Sequence, residues 1–398
     1  MNKKILWASP TNILDITSGF ALSVKEMLLQ LHKNGYDIKI LSATIFNNEA
    51  GMSVLQQHDD IIKKNDGKLI NISDDGLIHE TFITKNIDRE KMQSKEEFVW
   101  FGYYCKVLND FKPDFVFFYR NGLLELAMAR EAKINNIPTV VYLANPNYSG
   151  TAWLRDVDLI ITDSEATAKM YKEREGYDMV NVGKFLPKKR YVSKQHKRKN
   201  LLFINPTLQK GALFVIQLAL YLEKVGSDII IEVVNSRGNW TEILQQVSSS
   251  LGEKRYALPN VIETENTKDM KSIYARARLL LVPSFWFESA GRVILEAQLN
   301  GIPVMGSSSG GIPEMIGKGG IIINFSDEFY KKPYTILVGE DHLKNIYSVI
   351  ERFYNDEQYY ETFKQKALKN VHVNHNINNS TKRLIGALNT IMLQTLEN

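Results

Sequence analysis

The chain has 398 residues, 44% hydrophobic and 24% charged, with a net charge of +4 and one cysteine. That length calls for two domains of ordinary globular composition, and the mild charge gives no argument for nucleic acid. The lone Cys105 excludes an intrachain disulfide framework and a cysteine-rich metal site, and no stretch is apolar for long enough to span a bilayer.

The opening sequence MNKKILWASPTN holds only a short apolar run before Pro10, so residues 4–8 read as a first strand rather than a signal peptide. A cytoplasmic placement is the expectation, and peripheral contact at the inner face of a membrane is compatible with it. Residues 20–33 carry helical periodicity through Leu22, Met27, Leu28 and Leu31, closed by Asn34-Gly35 before a strand from Ile38. This is a β-loop-α-β unit of the doubly wound kind, in which ligands bind beyond the carboxyl ends of strands. Ser18-Gly19 lies at such an end. Two extended runs flank Asp74-Asp75-Gly76, a hairpin signal. Residues 96–111 read as a helix rich in aromatics, among them Phe98, Trp100, Phe101 and Tyr104, with Cys105 as a buried thiol. No basic residues interleave with the aromatics, so they read as core and not as a platform for bases.

Strands follow at 113–119, 138–143 and 158–162, the first two separated by a helix over 122–135; Asp163-Ser164 caps the next helix. The first two of these strands end in Tyr119-Arg120-Asn121 and Ala144-Asn145. Residues 186–200 are basic and polar and read as a solvated interdomain linker. A strand over 201–204 then leads through Asn205-Pro206-Thr207-Leu208-Gln209-Lys210-Gly211 into a helix. A strand at 229–234, a helix at 240–251, a strand at 261–264 ending in Thr264, and a helix at 270–277 come next. No repeat at solenoid periods, no Walker-type loop and no Gly-x-Gly-x-x-Gly is present.

The stretch over residues 279–317 carries the chemistry. An apolar strand ends at Pro283-Ser284. A loop to Gly291 precedes a helix over 292–300, and Gly301 closes it. A second strand then runs into the small-residue loop 306–311 and a short helix opened by Pro313. Ala290-Gly291 at a helix N-terminus makes an anion site, because backbone N–H groups and the helix dipole favour negative charge there. A carboxylate one turn inside such a helix can bond the vicinal hydroxyls of a ribose. This reading puts diphosphate at the loop, ribose at Glu296 and sugar hydroxyls near Glu288. A hydrolase would need its two carboxylates about 5–9.5 Å apart; eight steps along one helix span about 12 Å, which leans against hydrolysis.

The stretch resembles the donor-binding signature of family 4 glycosyltransferases (glycosyl transferases group 1), retaining enzymes of the GT-B type. The resemblance rests on Pro283-Ser284, Glu288, Gly291, Glu296, Gly301-Ile302-Pro303-Val304 and Gly310-Gly311-Ile312-Pro313-Glu314. It implies an α/β GT-B fold, two Rossmann-like doubly wound domains facing across a cleft. An acceptor-binding domain would cover residues 1–190, a donor-binding domain 191–375, and a terminal helix over 376–398 would pack back on the first. It implies transfer of a sugar from a nucleotide sugar, UDP by family habit, to the hydroxyl of a glycan, lipid-linked, protein or small-molecule acceptor, in glycan or glycoconjugate biosynthesis. Neither metal nor cofactor is implied, the nucleotide sugar being a substrate.

Carried over residue by residue, the resemblance gives Gly19, Asn205, Lys210, Gly211, Thr264, Glu288, Ser289, Ala290, Gly291, Arg292 and Glu296 to the donor. Lys210, Glu288 and Arg292 are the expected catalytic residues. The sequence departs from the family in three places. Ser18 replaces the first of two glycines, Asn205-Pro206 replaces Gly-Arg, and the histidines after the strands at 113–119 and 138–143 are absent. Arg292 is the candidate to replace the missing cation, and Arg120 and Asn145 to meet the acceptor. Two other classes stay open: a sugar-nucleotide epimerase of GT-B type, and a nucleotide-sugar-binding protein without catalysis.

Overall fold

The computed structural model describes residues 2–58, 60, 62, 66–249, 252, 254–267 and 269–397. It divides into two compact units. Unit 1 comprises residues 1–185 and 377–398, and unit 2 residues 186–376.

The strands of unit 1 are β1 (Lys4–Ala8), β2 (Asp37–Ala43), β3 (Leu69–Asp74), β4 (Leu77–Phe82), β5 (Phe115–Phe118), β6 (Thr139–Tyr142), β7 (Leu159–Thr162) and β8 (Val180–Asn181). Among the described residues they form one sheet in the order β3-β4-β2-β1-β5-β6-β7-β8. All neighbours are parallel except β3 and β4, the hairpin closed by Asp74-Asp75-Gly76. The central strands β5 and β6 are buried along their whole length, as a sheet covered on both faces requires. The helix Gly19–Lys33 starts with Ser18, whose hydroxyl accepts from the Ala21 N–H, a polar N-cap ahead of an apolar-periodic run. The helix Ser94–Phe111 buries Trp100 and Tyr104. Trp100 Nε1 donates to the Ser42 carbonyl and the Tyr104 hydroxyl to that of Met128, so these aromatics are core. Phe98 is exposed, and Cys105 is half-buried at the edge of the cluster rather than inside it.

The last helix, Ile377–Glu397, belongs to unit 1. Its Leu384, Leu388 and Ile391 join Trp7, Leu28, Phe117, Val182 and Phe185 in one apolar cluster. The Arg383 guanidinium donates to the Val182 carbonyl, so the chain end is tied to unit 1 by packing and by hydrogen bonds.

Unit 1 also buries a histidine. His79 on β4 is fully covered, and neither ring nitrogen has a hydrogen-bond partner. Burial drives its pKa down to about 4, with Asp74 opposing and Lys25 reinforcing the shift. The unfolded chain takes up this proton below about pH 6.5, while the folded chain resists until about pH 4. The stability contributed by neutral His79 is therefore complete above pH 6.5 and lost as pH falls toward 4. Between pH 7 and 4.5 the loss is expected to be on the order of 2 kcal/mol. Urea unfolding of wild type and His79→Leu at both pH values checks this, since the variant lacks that part of the pH dependence.

Unit 2 is a six-stranded, wholly parallel sheet among the described residues. Its strands are β9 (Asn200–Ile204), β10 (Ile231–Val234), β11 (Val261–Thr264), β12 (Ala277–Val282), β13 (Val304–Ser307) and β14 (Gly320–Ile323). The order is β11-β10-β9-β12-β13-β14. Strand order therefore reverses between β9 and β12, which defines the crevice where doubly wound sheets hold ligands. The expected helix over 240–251 is seen as Trp240–Ser248; Leu251 lies outside the described residues. The run at 186–200 is not a bare linker. Lys188–Tyr191 form a helical turn, Leu186 and Tyr191 are buried in the core of unit 2, and the Lys197 and Lys199 amides bond the Ala275 and Arg276 carbonyls. Among the described residues no helix is long and apolar enough to cross a membrane.

Candidate active site

At the reversal point of unit 2 the loop after β9 meets the loop after β12. The Gln209 carbonyl accepts from the Phe285 and Trp286 amides and from the Ser284 hydroxyl, which locks the two loops together. Lys210, from the first loop, forms an ion pair with Glu288, from the second. Ser284 adds a hydrogen bond to the same Glu288 oxygen at 3.0 Å. The side chains are 25% and 15% exposed, so the pair is open at its edge. A third loop, after β13, cradles the second. A Cβ at Gly310 would stand 2.2 Å from the Glu288 carbonyl oxygen, and one at Gly311 would stand 2.1 Å from that of Ser289. Only glycine lets the backbones approach so closely, which is the physical content of the Gly-Gly in this motif.

The helix Arg292–Leu299 begins at Gly291 with φ 53°, without a side-chain cap. That glycine ends the loop, so Glu288 stands outside the helix and Glu296 inside it; the 12 Å estimate for one continuous helix does not apply. Ser289 and Ala290 are buried in the turn before it.

Glu296 is 4% exposed. Its Oε1 accepts from Arg292 Nε at 2.6 Å and its Oε2 from the Tyr274 hydroxyl at 2.8 Å. Arg292 is itself buried, stacks on the Tyr191 ring at 5.1 Å from its centroid, and donates to the Tyr191 hydroxyl. Burial alone would lower the guanidinium pKa; the Glu296 carboxylate and Tyr191 turn the net shift upward, so the charge is held. Burial, then the neighbouring Glu296 charge, pushes the Tyr274 phenol well above its ordinary range, so it remains a hydrogen donor. The expectation of Arg292 as an open cation is not met, because its charge is committed to Glu296. A carboxylate has about four lone-pair sites, so Glu296 retains acceptor capacity beyond these two bonds.

Tyr191 and Tyr274 are the residues that reading the sequence missed. Tyr191 was legible only as one of few apolar side chains in a basic run, and nothing in spacing ties Tyr274 to a carboxylate 22 positions on. Asn205 lies in the loop after β9 with φ 67°, and its Oδ1 accepts from the Arg237 and Gly238 amides, clamping that loop to the one after β10. Thr264 ends β11, and its hydroxyl donates to Glu232. In unit 1, Gly19 is the first residue of the helix after β1. Arg120 and Asn145 follow the neighbouring strands β5 and β6. Arg120 pairs with exposed Glu90 at 3.0 Å, and Asn145 closes its own turn by accepting from the Asn147 amide.

Residues 200–337 match the family model of the glycosyl transferases group 1. That span holds Lys210, Glu288 and Glu296. An uncharacterized 41.2 kDa protein from the cps region of Klebsiella pneumoniae is 27% identical over 30% of this chain. The matched stretch is about a third (35%) of that relative's length. Among solved structures, Anabaena HepE in complex with UDP and glucose aligns at a TM-score of 0.68 and 16% identity, covering 98% of this chain and 100% of its own. Sucrose-phosphate synthase from Thermosynechococcus elongatus aligns at 0.71 and 13%, covering 99% and 100%. The fold is that of GT-B glycosyltransferases, two Rossmann-like α/β domains with a terminal helix returning to the first.

Proposed function

We propose that this chain is a retaining glycosyltransferase that takes a sugar from a nucleotide sugar, UDP-linked, and transfers it to an acceptor hydroxyl in glycan or glycoconjugate synthesis. The observation that carries the reading is the Lys210–Glu288 pair at the strand-order reversal of unit 2, one turn before a helix start and eight residues before Glu296. Lys210 offers an ammonium with three donors to the diphosphate. The Ser289-Ala290-Gly291 turn and Gly211 let the phosphates approach, and the Arg292–Leu299 helix start adds its dipole. Glu288 accepts from sugar hydroxyls, and Glu296 accepts from the ribose. Arg292 acts through Glu296, holding it ionised and oriented, and is therefore a positioning residue.

Transfer then proceeds from the face that the leaving diphosphate occupies. The bond from the anomeric carbon to the phosphate oxygen breaks, the acceptor oxygen bonds the same carbon, and its proton passes to the departing phosphate. No protein base is required, and the chain's part is positioning and stabilisation of the leaving charge without a metal. Gly19 and Thr264 are proposed at the donor, with Asn205 shaping its loop, and Arg120 and Asn145 at the acceptor. The binding-protein and epimerase readings gain no observation of their own.

A thermal-shift panel of UDP, ADP, GDP and their sugars tests the donor. A ligand at ~100 times its Kd adds about 2.7 kcal/mol of stability, so the UDP series is expected to raise Tm and the others not. A shift with none of them would sink the reading. Proton NMR of the product should show the donor's anomeric configuration, with EDTA leaving the rate unchanged.

A further inference from the structure

The loop over residues 205–210 has a second flank. One side leans on the loop after β12 at Lys210 and Glu288. The other rests on the loop after β10, where a Cβ at Gly238 would stand 2.1 Å from the Pro206 carbonyl oxygen. On that second side an open surface groove of about 350 Å³ lies between Pro206–Gln209, the start of the helix Trp240–Ser248, and Tyr334. This volume lies within the range of small-ligand sites, roughly 300–1,000 Å³. None of the residues placed at the candidate active site by the Lys210–Glu288 pair or by Glu296 lines it.

Its lining presents polar side chains without partners among the described residues, one of them covered. Tyr334 is 8% exposed overall, and burial raises its pKa; its hydroxyl makes no hydrogen bond among the described residues and stays open to the groove. The Thr207 hydroxyl oxygen is covered and also without a partner. Gln209, Arg237, Asn239, Glu242 and Gln246 complete the polar wall; Arg237, Glu242 and Gln246 are exposed, and apart from the Asn239 bond to the Glu242 amide these side chains make no hydrogen bond or ion pair among the described residues. Leu208 and Ile243 supply the apolar part.

We infer that this groove is a carbohydrate subsite that holds one pyranose unit of a glycan. The wall offers donors and acceptors together. A guanidinium, two primary amides and a phenol donate; a carboxylate and the amide oxygens accept. Pyranose hydroxyls do both, and the C–H face of the ring suits Leu208 and Ile243. A phosphate would meet the Glu242 carboxylate beside a single cation, so an anion is the poorer fit. The subsite stands independently of the UDP reading, because it shares no side chain with the proposed donor contacts.

The test is saturation-transfer NMR with free glucose, galactose, mannose and N-acetylglucosamine on the full chain. Wild type is expected to give transfer to at least one sugar. Arg237→Ala/Gln246→Ala, two exposed side chains whose loss leaves the core intact, should weaken it about tenfold, and Tyr334→Phe should weaken it severalfold, with Tm unchanged in both. Lys210→Ala should leave it as in wild type. Transfer to none of the four sugars overturns the inference. So does transfer that survives in the double variant, is lost in Lys210→Ala, or is abolished by saturating UDP. A missing UDP thermal shift beside intact sugar transfer would sink the donor reading and leave this one standing.

Discussion

Lys210→Ala is expected to lower kcat/KM by about tenfold to a thousandfold, roughly 1.4–4 kcal/mol of lost transition-state stabilisation. The reason is positional. In the proposed reaction the departing diphosphate would gain charge as the anomeric bond breaks, and Lys210 is the half-buried cation standing at the reversal between β9 and β12. With Arg292 committed to Glu296, no second side-chain cation from the motif is offered for that proposed task. The Lys210–Glu288 pair is partly exposed, so removing the lysine should change Tm little, and the loss should fall mainly on kcat. Lys210→Arg is expected to recover only part of the rate, since a planar guanidinium does not reproduce the point charge of an ammonium. Steady-state kinetics with the donor identified by thermal shift decide the matter, and wild-type kinetics in Lys210→Ala would remove this residue from the mechanism.

Arg292→Met is the second large expectation, and it concerns stability first. It leaves the Glu296 carboxylate buried beside Tyr274 with no cation. Breaking one side of a buried pair costs about 3–5 kcal/mol, so unit 2 should melt well below its wild-type temperature. Arg292→Met/Glu296→Leu removes both charges and fills similar volume, and such exchanges are neutral or stabilising by about 1–4 kcal/mol. The double variant should therefore regain most of the lost stability while failing to bind UDP. That split separates the structural role of the pair from its proposed role toward ribose. A double variant that still binds UDP with wild-type affinity would take Glu296 out of the donor site.

The backbone plan was largely legible from sequence because its signals are local. The strand at 4–8, the Asp74-Asp75-Gly76 hairpin, the Ser18 and Ser164 caps and the Gly301 helix stop each depend on neighbouring residues. The motif over 279–317 was legible for the same reason, and the approach of Gly310 and Gly311 to Glu288 and Ser289 supplies its cause. Long-range pairs were not legible. Tyr191 looked like part of a solvated basic run because its partner, Arg292, lies 101 residues on. Arg292 looked like an open cation although Glu296 stands one helical turn on, because the burial of the pair and the Tyr191 ring against it show only in three dimensions. Cys105 illustrates the same limit on a smaller scale, since helical periodicity does not say how far a face extends into the core.

Unit 1 is discontinuous in the chain. Its β1–β8 sheet is made first, but the helix that covers Val182 and Phe185 comes last, after the whole of unit 2. During synthesis the middle segment can therefore complete its fold before the segment that precedes it, the reverse of the usual N-terminal-first order. Until residues 377–397 emerge, the apolar surface around Phe185 and Trp7 lacks part of its cover. A nascent or truncated chain lacking that helix would be the aggregation-prone species, and completion of unit 1 waits on a segment made after the whole of unit 2.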